Sequence, residues 1–205
     1  MAIPEALEQL IERAHAAVEA HESRELALPL RKDIWRALGP VEYDQATGRA
    51  QITSGLRRRT HLARLAAERV LPIWEARWPT RDPHRMLAVS DAYLAGTTTW
   101  KDAWRAQNAF GGGLQNVGDV SEADMYTLYP GHAAIDVVLT ALKDVDCDAS
   151  DDLDAELDEW DGSFYAAAAF AGEMPWDARA SSGRRSDFWE WYLREAVPAA
   201  WESVA

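Results

Sequence analysis

Apolar positions recur at three- and four-residue spacing along almost the whole chain, which is the period of amphipathic helices. Pro4 suits a first helical turn, and Leu7, Leu10, Ile11, Ala14, Ala17 and Val18 predict a helix to about Ala20. Leu30, Ile34, Trp35 and Leu38 predict a short second helix over Pro29 to Leu38, stopped by Gly39-Pro40. Residues 41 to 55 are polar, with a short strand possible at Arg49 to Thr53. A helix from about Leu56 carries Leu62, Leu65, Ala66, Val70, Ile73 and Trp74. Pro72 within it predicts a kink or two abutting helices, because proline lacks the ladder donor and crowds the preceding turn.

Asp82-Pro83 reads as the start of the next helix, which runs through Met86, Leu87, Ser90, Tyr93 and Leu94 to Gly96. Thr99 can cap another, with Trp100, Ala103 and Trp104 inward, and Gly111, Gly112 and Gly113 are expected to break it. Further helices are expected over Pro130 to Leu142 and Trp160 to Ala171, the latter stopped by Gly172. A last helix is expected from a Ser186 cap, interrupted at Pro198. Strand patterns are scarce. The expectation is an all-α, single-domain irregular bundle of about eight helices spanning residues 1 to 205.

Charge changes the picture at one place. The chain has 34 acids against 21 Lys and Arg, a net charge of -13. Ten of the acids lie between Asp144 and Asp161 with no Lys or Arg among them, and the remaining 24 nearly balance the 21 bases. The excess is therefore local. Such a stretch either draws a basic partner surface or only solvates the chain. The candidate partner-binding residues are Asp144, Asp146, Asp148, Asp151, Asp152, Asp154, Glu156, Asp158 and Glu159. Calcium fits poorly: Asp144, Asp146 and Asp148 match an EF-hand opening, but Ala149 replaces the turn glycine and Ala155 the final glutamate.

Other chemistry is thin. Cys147 is the only cysteine, so no intrachain disulfide forms, and the reducing cytoplasm is the expected compartment. The opening residues lack a signal-peptide pattern, and no apolar run approaches a membrane span. The five histidines are scattered without an HExxH pattern, there is no GxSxG, and the glycine triplet lacks the lysine of a phosphate cradle. No catalytic, cofactor-binding or metal-ligating residue is expected. Arg57, Arg58 and Arg59 open a helix whose dipole they oppose, which favours pairing with the acidic stretch over a nucleic-acid contact. Trp176, Trp189, Trp191 and Trp201 are either core or partner-facing.

Two segments carry a family resemblance. One is Leu65-Ala66-Ala67-Glu68-Arg69-Val70-Leu71-Pro72-Ile73-Trp74-Glu75, followed by Pro79 and Asp82-Pro83. The other runs from Glu159-Trp160-Asp161-Gly162 through Pro175-Trp176 and Phe188-Trp189-Glu190-Trp191 to Val197-Pro198-Ala199-Ala200-Trp201. With Pro29-Leu30-Arg31 and Leu38-Gly39-Pro40, these resemble the fifth family of immunity proteins of bacterial polymorphic toxin systems, from about residue 25 onward. The resemblance implies an all-α, non-catalytic protein encoded beside a toxin, which it binds and neutralises. It also implies that the toxin is often a nuclease. A nuclease surface is basic because it binds phosphates, so carboxylates can occupy it. Two other classes stay open: a small helical enzyme with a carboxylate and histidine cleft, and a non-catalytic helical scaffold.

Overall fold

The central helix of the chain is short and apolar on every side. Gly162–Ala171 has the sequence GSFYAAAAFA, and all but one of its residues are buried. A helix without a polar face belongs inside a bundle, and the run Ala166 to Ala169 lets its neighbours approach closely. The computed structural model describes residues 2–117, 121–144, 160–177 and 182–204. Among these the helices are α1 (Glu5–Ala20), α2 (Leu28–Ala37), α3 (Ser54–Arg77), α4 (Asp82–Leu94) and α5 (Trp100–Gln115). They continue with α6 (Glu122–Met125), α7 (Tyr129–Lys143), α8 (Gly162–Ala171), α9 (Ser182–Trp191) and α10 (Val197–Glu202), with a π-turn at Tyr192–Ala196 joining the last two. Eight of the α-helices have ten residues or more, and α6 and α10 are shorter. The architecture is all-α, with one shared apolar core.

The core is layered. Helices α3, α7 and α8 pack on one another; α4 and α5 cover the far side of α7, while α9 covers α8 and α1 packs on α2, α9 and the π-turn. Thr53 caps α3, its hydroxyl accepting the Leu56 N–H at 3.1 Å, and Thr99 caps α5 through the Asp102 N–H at 3.2 Å. Gly172 ends α8 in the left-handed conformation, φ +78°. The strand expected at Arg49 to Thr53 is only an isolated antiparallel bridge between Tyr43 and Ala50.

Three helix limits differ from the sequence expectation. Helix α3 runs through Pro72 as one element rather than as two abutting helices; Pro72 faces solvent, where water can serve the carbonyl that its missing N–H leaves open. Helix α5 runs through the three glycines to Gln115. Beyond them Leu114 is buried against α7, where Gly131 has no side chain to obstruct it. That packing outweighs a propensity loss of about 1 kcal/mol per glycine. Helix α9 starts at Ser182 rather than Ser186. Pro198 does interrupt the last helix. The preceding turn widens so that the Val197 N–H reaches the Tyr192 carbonyl, which makes room for the proline ring.

Candidate partner-binding site

The acidic stretch is rooted at both ends in buried arginines. At the first end, α7 finishes at Lys143 and Asp144 turns the chain with φ +62° and ψ -175°, a strained conformation found almost only at glycine. Its carboxylate is buried. It accepts from Arg59 Nε at 2.5 Å and from Arg59 Nη2 at 2.7 Å, a two-pronged pair. The same guanidinium also donates to the carbonyls of Trp35 (3.1 Å), Gly39 (2.6 Å) and Pro40 (3.0 Å). Arg59 thus joins the end of α2, the first turn of α3 and the end of α7. This corrects the expectation for Asp144: it is a buried structural carboxylate, not a partner-facing one, because its charge is held by Arg59. Among the described residues, the expected pairing of the arginine run with the acidic stretch is made by Arg59. Arg57 donates to the Leu94 carbonyl at 3.0 Å. Arg58 donates to Leu38 and Val204 carbonyls and lies 3.8 Å over the Trp201 ring.

At the other end, Asp161 caps α8. Its Oδ1 accepts the Ser163 and Phe164 N–H groups at 2.9 and 3.1 Å, while Oδ2 accepts Arg31 Nε at 3.0 Å and Nη2 at 2.7 Å. A carboxylate at a helix N-terminus also meets the positive end of the dipole. Arg31 is fully buried, donates to the Leu26 carbonyl at 2.6 Å and lies 3.7 Å from Glu25, which accepts from buried Arg185 at 2.7 Å. Its guanidinium stands 5.4 Å from the Phe164 ring and 5.7 Å from the Trp189 ring. The series Asp161, Arg31, Glu25, Arg185 ties the start of α8 to α2 and α9. The sequence carries Arg31 within the Pro29-Leu30-Arg31 motif but gives it no role, although it shares a helix face with Ile34, Trp35 and Leu38. A charged residue on an apolar face is the signal that a buried partner exists.

Asp136 of α7 sits directly against this second root. Burial, and then the neighbouring Asp161 charge, push its carboxyl up to about 7. The fit is close: a Cβ on Gly162 would fall 2.7 Å from Asp136 Oδ2. One turn away His132 stacks on Tyr165, ring centroids 4.8 Å apart, and burial pushes it down to about 4. The two groups tilt stability in opposite directions. The raised Asp136 value makes stability fall as pH rises from about 4 to 7, whereas the lowered His132 value makes it rise between about 4 and 6.5. Asp136→Asn removes only the first effect. The variant is expected to exceed the parent by about 2–4 kcal/mol at pH 7.5, with the gap closing toward pH 4. Urea unfolding at both pH values checks this, and an unchanged gap would refute the assignment.

Around the second root lies an aromatic group. Trp160 packs on Phe164 (5.1 Å between centroids) and Trp176 (5.7 Å), and Phe164 and Trp176 stack at 6.0 Å. Of the four tryptophans left open between core and surface, Trp189 is fully buried and Trp191 and Trp201 are half-buried, but Trp176 is 47% exposed. Asp146, Asp148, Asp151, Asp152, Asp154, Glu156, Asp158 and Glu159 lie outside the described residues.

A separate pocket of about 190 Å³ lies between α3, α4 and the C-terminal residues, lined by Arg57, His61, Arg64, Ser90 and Asp91 among others. Burial lowers the His61 pKa. The Asp91 carboxylate there is paired with Arg64 at 2.5 Å. Among the described residues no group of three or more His, Cys, Asp or Glu is placed to hold a metal ion. Among them, too, no helix is long and apolar enough to cross a membrane.

The described residues thus form an all-α bundle in which the carboxylates flanking the most acidic segment are held by buried arginines. The chain matches the family model described as Immunity protein Imm5 over residues 11–199, nearly its whole length, and belongs to that family. No curated protein matches it.

Proposed function

We propose that this protein binds and neutralises a cognate toxin encoded beside it, acting in the cytoplasm and without catalysis. We take the toxin to be a nuclease with a basic surface, and the eight acids from Asp146 to Glu159 to be the contact that occupies it. Family membership supports the immunity role. The observation that carries the contact is the placing of charge. Asp144 and Asp161 belong to the fold, paired with Arg59 and Arg31, and the acids between them hold most of the chain's excess charge. Carboxylates at an interface raise the association rate and select for a basic partner, with a strength that salt screens.

The test is co-expression with the product of the adjacent gene, purification through a tag on this chain, and binding at low and high salt. The toxin is expected to co-purify in inactive form. Changing the eight acids to their amides is expected to weaken binding about 100- to 1000-fold at low salt, with a smaller difference at high salt. Equal binding by the amide variant would remove the acidic contact from the reading. The absence of any co-purifying toxin would remove the immunity role itself.

A further inference from the structure

We propose that the indole of Trp176 is the apolar anchor of the partner interface, receiving an arginine or lysine side chain of the toxin on its open face. This deepens the reading above and rests on it.

Trp176 presents a large apolar surface that the fold leaves uncovered, at 47% exposure. It is also held in place. Phe164, fully buried in α8, stacks beneath it at 26° between ring planes, and Trp160 packs against its side. The turn that carries it is pinned by the next residue: Asp177 accepts the Met174 N–H at 2.7 Å and the Tyr126 hydroxyl at 2.7 Å. A side chain already fixed in place loses little freedom on binding, so more of its burial appears as affinity. Beside the Tyr126–Asp177 hydrogen bond stands Met125, 43% exposed, so these two uncovered apolar side chains flank a single hydrogen bond. Aromatic residues in such preorganised positions are the commonest hot spots of protein interfaces.

The charge of the neighbourhood decides which partner fits. The last of the eight acids, Glu159, directly precedes Trp160 in the chain, and the Trp160 ring packs on Trp176. A cation drawn to Glu159 is therefore one residue along the chain from a pair of packed indoles. Indole faces attract cations, and guanidinium more than most. The chain uses the same chemistry internally, where Arg58 lies 3.8 Å over Trp201. Carboxylates alone would lose much of their attraction to desolvation, and an aromatic face supplies attraction that survives at high salt.

The test compares Trp176→Ala, Trp176→Phe and the parent full-length chain in binding to the toxin encoded beside it, over a series of salt concentrations. Trp176→Ala is expected to weaken binding about 30- to 300-fold at every salt concentration, whereas the eight-amide variant loses its effect as salt rises. Trp176→Phe is expected to stay within about tenfold of the parent, since a phenyl face keeps most of the cation contact. Both variants should unfold within a few degrees of the parent, because the side chain is exposed. Parent-like affinity in Trp176→Ala, while the parent binds, overturns the anchor and leaves the immunity role standing. Failure of the parent itself to bind overturns both.

Discussion

Replacing Arg59 with methionine is expected to destabilise the protein by about 3–5 kcal/mol. The thermal midpoint is expected to fall by about 10 °C at this chain length. Methionine fills similar volume, so the loss comes from charge and hydrogen bonds rather than a cavity. It deprives Asp144 of its guanidinium in a place where the carboxylate is buried. It also leaves the Trp35, Gly39 and Pro40 carbonyls without that donor. Removing one member of a buried ion pair costs far more than replacing both, since a lone buried charge keeps its full desolvation penalty. The double variant Arg59→Met with Asp144→Leu should therefore be more stable than Arg59→Met alone. Urea unfolding of the two single variants and the double closes the cycle. A loss under 1 kcal/mol for Arg59→Met would show that the pair contributes little.

The second large effect is expected from Gly55→Ala, a change that would favour an isolated helix. Here it is expected to cost about 2–3 kcal/mol, because it places a methyl group where there is no room. The added carbon would lie 2.8 Å from the Pro40 carbonyl oxygen and 2.9 Å from the Gly39 carbonyl carbon. These are backbone atoms, so no rotamer change relieves the clash. Gly39 itself holds φ +142°, and a Cβ there would in turn meet the Gly55 backbone at 2.8 Å. The two glycines let the end of α2 lie against the start of α3, which brings the Gly39 and Pro40 carbonyls within reach of Arg59. The two substitutions therefore act on one junction, and their combined cost should be smaller than the sum of the separate costs. Strict additivity in unfolding measurements would show that the junction is not shared.

The helices were legible because their signals are local. Pro4, Thr99 and Gly172 mark ends through backbone chemistry that needs no distant partner, and the structure places helix ends beside all three. The failures lie where tertiary packing overrides the local signal. Gly111, Gly112 and Gly113 read as a break, yet Leu114 beyond them has a buried site on α7 that only a continued helix can reach. The acidic stretch was visible as composition, but composition could not separate its two structural acids from the rest. What marks Asp144 and Asp161 as structural is their pairing with Arg59 and Arg31, which are 85 and 130 residues away in the chain. Glu25 and Arg185, 160 residues apart, were hidden for the same reason. Trp176 stood among several tryptophans at helical spacing, and only the packing of Phe164 and Trp160 shows which face of it stays open.

The two arginine roots have a consequence for how such a protein can diversify. Each root is an ion pair between described residues: Arg59 holds Asp144 where the chain leaves α7, and Arg31 holds Asp161 where it enters α8. In general, a connection between two anchored ends costs only about 0.6 kcal/mol more in closure entropy for each doubling of its length. On the proposed reading, the acids that meet the partner and the core that keeps the protein folded are separate parts of the chain, so new partner preferences can arise without reworking that core.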